Sequence, residues 1–334
     1  MIPEISVIVP TYNREGFLGS TLDSILSQTV PPAEVIVVDD GSTDGTREMV
    51  SSQYGDRVRY VSIPNSGVCR ARNIGVGSSR CPWIAFCDSD DLWLPRRLEA
   101  QIQLCGLDPR VEYLFTDFYY VNKAVRSSQS KFCESAAWQA KLRACGKGEG
   151  FSVIEEPLYL DFMSFGPIFP STVLMTRRRI DAMGGFDERW TRTSIEDFDF
   201  TLRCLQTPPF GVVSEPLAEI RRHDSNASGN RVRDLVAYVD ILEYSKIHHR
   251  LGPENARAID GHVLKASIDG AELAFAGGQL DIVKRLLETI PSSRLKAKTR
   301  IKKWIAMRPP ALRSTCSKIL LKAAAGARRV RRAE

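Results

Sequence analysis

Four short apolar runs, each closed by polar or acidic residues, mark the N-terminal part of the chain: Ile5-Ser6-Val7-Ile8-Val9, Val35–Val38, the stretch around Val58–Ile63, and Trp83–Cys87. Runs of this length, bounded by turn residues, suit strands buried in a parallel sheet. Between the first two, Leu18, Leu22, Ile25 and Leu26 fall on one helical face, and Pro31-Pro32 ends that helix. A second helix follows Gly45, and Val68–Val76 reads as a third, carrying Arg70 and Arg72. Strands alternating with helices predict an α/β fold, a mostly parallel Rossmann-like sheet with right-handed crossovers.

Beyond Trp93 the pattern loosens. Tyr113–Val121 and Ser171–Met175 read as strands, and residues 123–150, polar and without a clear period, as a mobile loop. Gly184-Gly185-Phe186-Asp187-Glu188 reads as a turn, and Ile195–Phe200 opens a helix. Short strands are expected at 211–213 and 218–220. From about Arg231 the chain reads as helical, Gly277-Gly278 separating helices at roughly 262–276 and 279–290.

With 334 residues there is room for one large domain and an appendage. No stretch approaches the roughly 18 apolar residues of a membrane span. The N-terminus runs straight into a strand, without a signal-peptide pattern. The eight Cys are scattered, without CxxC pairs, and are expected to be reduced in a cytosolic protein. Charge is uneven. Residues 294–334 hold 14 Lys and Arg against one acid, Glu334, so this tail carries +13 and, for +6 overall, the rest carries −7. Leu312, Cys316, Ile319, Leu320 and Ala323 share one helical face in it, with Ile301, Trp304 and Ile305 as a shorter stripe. A basic amphipathic helix is a candidate for peripheral contact with an anionic membrane surface; the alternative is a solvated helix packed on the protein. Nucleic acid is not expected, because the body is acidic and the arginines lack interleaved aromatics.

Acids recur at three predicted strand ends or loops: Asp39/Asp40, Asp88/Asp90/Asp91 and Glu196/Asp197. In open α/β sheets, ligands bind beyond the carboxyl ends of the strands. Like charges packed as in Asp88-Ser89-Asp90-Asp91 repel, and oxygen ligands alone suit a hard divalent ion such as Mn²⁺ or Mg²⁺. The plainer alternative is a solvated acidic turn capping the helix near Pro95. Arg70, Arg72 and His223 are available beside the acids for a phosphorylated ligand. The first strand runs into Pro-Thr-Tyr-Asn-Arg-Glu, which argues against a GxGxxG dinucleotide site, and no Walker A lysine loop is present. Trp93 and Trp190 are candidates either for stacking on a sugar or for the core.

Six ordered motifs resemble those of family 2 glycosyltransferases: Val9-Pro10-Thr11-Tyr12-Asn13; Val38-Asp39-Asp40-Gly41-Ser42-Thr43-Asp44-Gly45-Thr46; Asn65-Ser66-Gly67 with Ala71-Arg72-Asn73-Ile74-Gly75; Asp88-Ser89-Asp90-Asp91; Gly184-Gly185-Phe186-Asp187-Glu188; and Glu196-Asp197. The resemblance covers about residues 3–228. It implies a GT-A fold over 1–228, with a nucleotide-sugar half (1–110) and an acceptor and catalytic half (111–228). Residues 229–334 form a helical C-terminal extension outside it. It implies an inverting, Mn²⁺- or Mg²⁺-dependent transferase that uses a nucleotide-diphosphate sugar, in surface polysaccharide assembly.

Carried over residue by residue, the resemblance places Pro10, Thr11, Tyr12, Asn13 and Glu15 around the base, with Asp40 accepting from it. Arg72 would lie near base or phosphate. Asp88, Ser89 and Asp90 would meet ribose and metal. Asp91 would be a further metal candidate, and His223 would close over the diphosphate or ligate the metal. Asp197 resembles the general base, and Glu196 an acceptor contact or a helix N-terminal acid. The expected donor is a UDP-sugar and the expected acceptor a glycan or lipid-linked glycan. The rivals are a sugar-phosphate nucleotidyltransferase, disfavoured because Thr11–Glu15 is no Gly-rich basic loop, and a scaffold that binds a nucleotide sugar without turnover.

Overall fold

The computed structural model describes residues 3–193, 195–223, 230–249, 251–309 and 312. Among them the strands are β1 (Ile5–Thr11), β2 (Glu34–Asp39), β3 (Arg59–Ser62), β4 (Trp83–Phe86), β5 (Leu92–Trp93), β6 (Tyr113–Asn122), β7 (Val125–Arg126), β8 (Phe151–Ile154), β9 (Val173–Thr176) and β10 (Phe210–Arg222). The helices are α1 (Glu15–Leu26), α2 (Thr46–Gln53), α3 (Val68–Ser78), α4 (Arg97–Leu107), α5 (Ala136–Ala144), α6 (Tyr159–Phe165), α7 (Arg177–Met183), α8 (Glu196–Cys204), α9 (Arg231–His248), α10 (Pro253–Ala276), α11 (Leu280–Leu287) and α12 (Ala297–Ala306). They divide into two compact units, residues 1–192 with 196–226, and residues 193–195 with 227–334.

The first unit is a single sheet in the order β3-β2-β1-β4-β9-β6-β10-β5, with β7 beside β6 and β8 beside β10. β3, β2, β1 and β4 are parallel, as their apolar runs predict. β1 is buried at every position, because α1 and α3 cover its two faces. Pro10 is tolerated in this central strand for a positional reason. Odd residues of β1 bond to β2 and even ones to β4, and β4 pairs no further than Ile8. The missing N–H of Pro10 therefore falls past the end of β4 and breaks no ladder bond.

The sheet then becomes mixed. β9 inserts antiparallel between β4 and β6, and β10 runs parallel to β6. The two strands expected at 211–213 and 218–220 are one strand, β10, whose register shifts between Val213 and Ala218. Residues 123–150 are not the loop that was expected. They hold β7, a 3₁₀ turn at Lys131–Glu134 and α5. Ser135 caps α5 by accepting from the Trp138 N–H, and Trp138 and Leu142, four apart, bury its inner face. Trp93 belongs to the core: its Nε1–H donates to the Ser171 carbonyl at 2.9 Å and its ring lies under the Arg97 guanidinium. Trp190 is half-buried in a 3₁₀ turn.

The second unit packs α9–α12 around Ala271, Ala274, Phe275, Val283, Leu286 and Leu287. Apart from Leu312, the basic tail beyond Pro309 lies outside the described residues, as does the stretch from Asp224 to Gly229. No helix among the described residues is long and apolar enough to cross a membrane. The seven cysteines described form no disulfide.

Candidate active site

The loops after β1 and β2 are laced together. Asn13, at φ 52, donates its N–H to Ser42 Oγ and accepts from the Thr43 N–H through Oδ1, both at 2.8 Å. Asn tolerates this left-handed conformation better than most residues. The Glu15 N–H donates to Asp44, and its carboxylate accepts from the Gly45 N–H. Thr11 is buried and Tyr12 exposed. Asp40, which the resemblance gives to the base, is buried, and its two oxygens accept from the Ser66 and Gly67 N–H groups at 2.7 Å each. Each oxygen keeps a second lone pair. Asp40 thereby fastens the loop that opens α3. That loop needs Gly67: its φ is 93, and a Cβ there would lie 2.0 Å from Thr191 Oγ1.

Arg72 projects from α3 into the interior and joins two acids distant in sequence. Nη2 donates to Asp88 Oδ1 and Nη1 to Glu196 Oε1, each at 2.8 Å, while the Phe186 ring lies 5.1 Å from the guanidinium. The loop after β4 and the N-terminus of α8 are thus fixed around one cation. Arg72 orders the acids here. Arg70, by contrast, makes an exposed ion pair with Glu188.

The acids after β4 have different surroundings. Asp90 Oδ2 lies 3.1 Å from His223 Nε2 and 3.6 Å from Arg14 Nε. His223 stacks on Phe17 at 4.2 Å. Burial and the neighbouring Asp88 raise the Asp90 carboxyl above its ordinary value, against the pull of Arg14 and His223. Asp91 is buried, and its oxygens accept from Ser171 Oγ at 2.5 Å and the Arg221 N–H at 3.0 Å. Burial pushes its carboxyl up, with Asp90 and Asp88 adding to the effect. Ser89 is buried, its carbonyl accepting from Thr21 Oγ1. Arg221 braces the same loop by donating to the Asp90 carbonyl and to Ser20 Oγ.

Asp197 follows Glu196 in the first turn of α8. It is partly buried, and its carboxyl is pushed up to about 7. Desolvation is the main cause and repulsion by Glu196 the next; Arg72 opposes them and Asp88 adds to them. No side-chain donor meets this carboxylate among the described residues.

No group of three or more His, Cys, Asp or Glu stands ready for a metal among the described residues. The donor set nevertheless fits a divalent cation. Asp88 and Asp90 carry mutual repulsion in partial burial, which a cation between them relieves. Asp91 fits less well, since it is buried and turned to Ser171 and the Arg221 N–H. Arg14, Phe17, Ser171, Phe186 and Arg221 were not singled out in the sequence. Arg14 stands inside Pro-Thr-Tyr-Asn-Arg-Glu, Phe186 inside Gly184–Glu188, and Arg221 two residues before His223; that adjacency was the available signal.

A parallel first half, a mixed second half and acids on loops at one sheet edge make an α/β fold of the GT-A type. The comparisons agree. The family model "Glycosyl transferase family 2" matches residues 6–156. The validoxylamine A glucosyltransferase of Streptomyces hygroscopicus subsp. limoneus is 29% identical over 317 residues, 88% of this chain and 69% of that protein. A putative teichuronic acid biosynthesis glycosyltransferase, TuaG of Bacillus subtilis, is 39% identical over 104 residues, 30% of this chain and 41% of that protein. The crystal structure of S. aureus TarS 1–349 in complex with UDP superposes with a TM-score of 0.65 at 18% identity, covering 97% of this chain and 92% of that one. Residues 6–156 thus match the family 2 glycosyltransferase model, and the chain shares its fold with the TarS structure.

Proposed function

We propose that the chain moves a sugar from a UDP-linked donor to a hydroxyl of a glycan or lipid-linked glycan in surface polysaccharide synthesis. The reaction is an inverting displacement dependent on Mn²⁺ or Mg²⁺. The observation that carries it is Asp197, a carboxylate that meets no side-chain donor among the described residues, poised near neutrality beside the Glu196–Arg72–Asp88 chain. A general base works best with a pKa near the operating pH. TarS, whose fold this chain shares, has been solved with UDP, and TuaG is named for teichuronic acid biosynthesis; both support the donor and the setting.

In this reaction Asp197 takes the proton of the acceptor hydroxyl as its oxygen forms the new bond to the anomeric carbon. The bond from that carbon to the diphosphate oxygen breaks on the opposite side, which inverts the centre. Asp88 and Asp90 would hold the cation, which, when bound, neutralises charge on the departing diphosphate. Arg14 and His223, already drawn to Asp90, hold a guanidinium and an imidazole ring at the same place. Arg72, donating to both Asp88 and Glu196, holds the two acids in place beside Asp197.

Asp197→Asn tests the assignment. Turnover should fall by about 10²–10⁴-fold while UDP-sugar affinity, read by calorimetry, stays within a factor of about two. A base must be ionised, so kcat/KM of the unaltered enzyme should rise with pH through about 7. Turnover that survived in Asp197→Asn would remove the base from this position.

A further inference from the structure

β6 and β10 end together, Arg222 pairing with Asn122. Arg222 is flanked in sequence by Arg221, which holds the Asp90 carbonyl, and His223, which meets the Asp90 carboxylate. The ends of these two strands therefore lie beside the acidic edge. There the chain turns through Lys123 and Ala124 into β7, and an open cleft of about 640 Å³ forms between Tyr120 and Asn122 of β6, the turn, residues 125–127 and Arg222. Ligand pockets commonly measure about 300–1,000 Å³.

Three cations reach this cleft. Arg126 is paired with Glu219 and lies over the Tyr119 ring. Arg222 and Lys123 are exposed, and among the described residues neither meets a carboxylate. The Arg222 guanidinium rests 3.8 Å from the centre of the Tyr120 ring. Exposed cations alone are ordinary, but the turn that presents Lys123 is not. Its two central residues have φ 48 and 64, a left-handed pair that two-residue hairpins normally fill with Asn-Gly. Lys-Ala is poorly suited to it, so the backbone holds Lys123 at the cleft against its local preference, as functional loops do. Tyr120, Val125 and the aliphatic stems of the cations make the remaining wall apolar. None of these residues belongs to the donor site described above.

Resting on the transferase proposal, we infer that this cleft is an acceptor subsite for a saccharide unit bearing a phosphate or carboxylate. Lys123 and Arg222 hold the anion and the apolar wall holds the ring. An anionic acceptor is thereby drawn to the edge where Asp197 and the Asp88–Asp90 pair act.

The test is calorimetric titration of the full chain with a glycerol phosphate oligomer, an oligogalacturonate and uncharged maltotetraose. It is run on the unaltered protein, on Lys123→Asn, which keeps a residue suited to the turn, and on Arg222→Gln. At least one anionic oligomer should bind and maltotetraose should not. Each substitution should weaken binding by about tenfold, the equivalent of one charge-assisted hydrogen bond. Binding of the phosphate oligomer alone assigns a phosphodiester-linked acceptor, and of the uronate alone an acidic-sugar one; either supports the subsite. Binding of neither, equal binding of maltotetraose, or unchanged binding in both variants overturns it. UDP release from UDP-sugars without acceptor reads the donor site separately and should be unaltered in both variants. If the unaltered protein released none, the transferase proposal would fail, while the titration would still decide the cleft.

Discussion

Replacing Arg72 with Leu removes the one cation that Asp88 and Glu196 share. Breaking a buried ion pair by deleting one partner typically costs about 3–5 kcal/mol, because the abandoned charge stays desolvated. Here the Glu196 side chain is 11% exposed and that of Asp88 29%, so Asp88 regains water more readily. The lower end, about 3 kcal/mol, is therefore expected. For a unit of this size each kcal/mol lowers Tm by about 2–4 °C, which gives a drop of about 6–12 °C. Arg72→Lys keeps the charge but loses the fork, and should cost less than half as much. A second readout separates the electrostatic role from simple packing. Arg72 pulls the Asp197 carboxyl down, so its loss should move the acid limb of kcat/KM upward from about 7 in Arg72→Leu and leave it in place in Arg72→Lys. Thermal denaturation followed by fluorescence, with a pH series of UDP release, measures both. A Tm within about 2 °C of the unaltered protein, with an unmoved limb, would refute this account of the Asp88–Arg72–Glu196 chain.

Two other substitutions test separate parts of the structure. Asp90→Ala should weaken Mn²⁺-dependent UDP binding by about tenfold or more, and chelation with EDTA should abolish UDP release from the unaltered enzyme; metal dependence that persisted unchanged would move the ligand role to Asp88 or Asp91. Gly75→Ala places a Cβ 2.4 Å from Ile8 Cγ2 across the α3–β1 contact and should cost about 1–3 kcal/mol, read as a lower denaturation midpoint; no loss would mean that α3 shifts freely on the sheet.

The parallel half was legible because both faces of β1, β2 and β4 are covered, which leaves uninterrupted apolar runs in the sequence. Direction was not legible further on. Ser171–Met175 gives a strand near the position of β9, but nothing in its pattern says that it runs antiparallel between β4 and β6. β10 read as two strands because Ser214-Glu215-Pro216 interrupts its apolar pattern where its register shifts. α5 was missed because a helix of nine residues with two buried positions leaves too little periodicity. In the site, the acids stood out as residue types, but their partners did not. Arg72 and Glu196 are 124 positions apart, and Asp91 and Arg221 130, so only the fold shows that one acid is braced by an arginine and another by a backbone amide. Asp40 read as a base contact, yet both its oxygens also fasten the loop before α3. The basic tail, conspicuous in sequence, lies almost wholly outside the described residues.

The most direct test of the central claim follows the anomeric configuration of the first product. The enzyme is incubated with an α-linked UDP-sugar and Mn²⁺, and the anomeric proton of the transferred or released sugar is read by NMR before mutarotation. One in-line displacement assisted by Asp197 predicts the β anomer, lost together with turnover in Asp197→Asn. An α anomer, or β product formed at full rate by Asp197→Asn, would contradict the account.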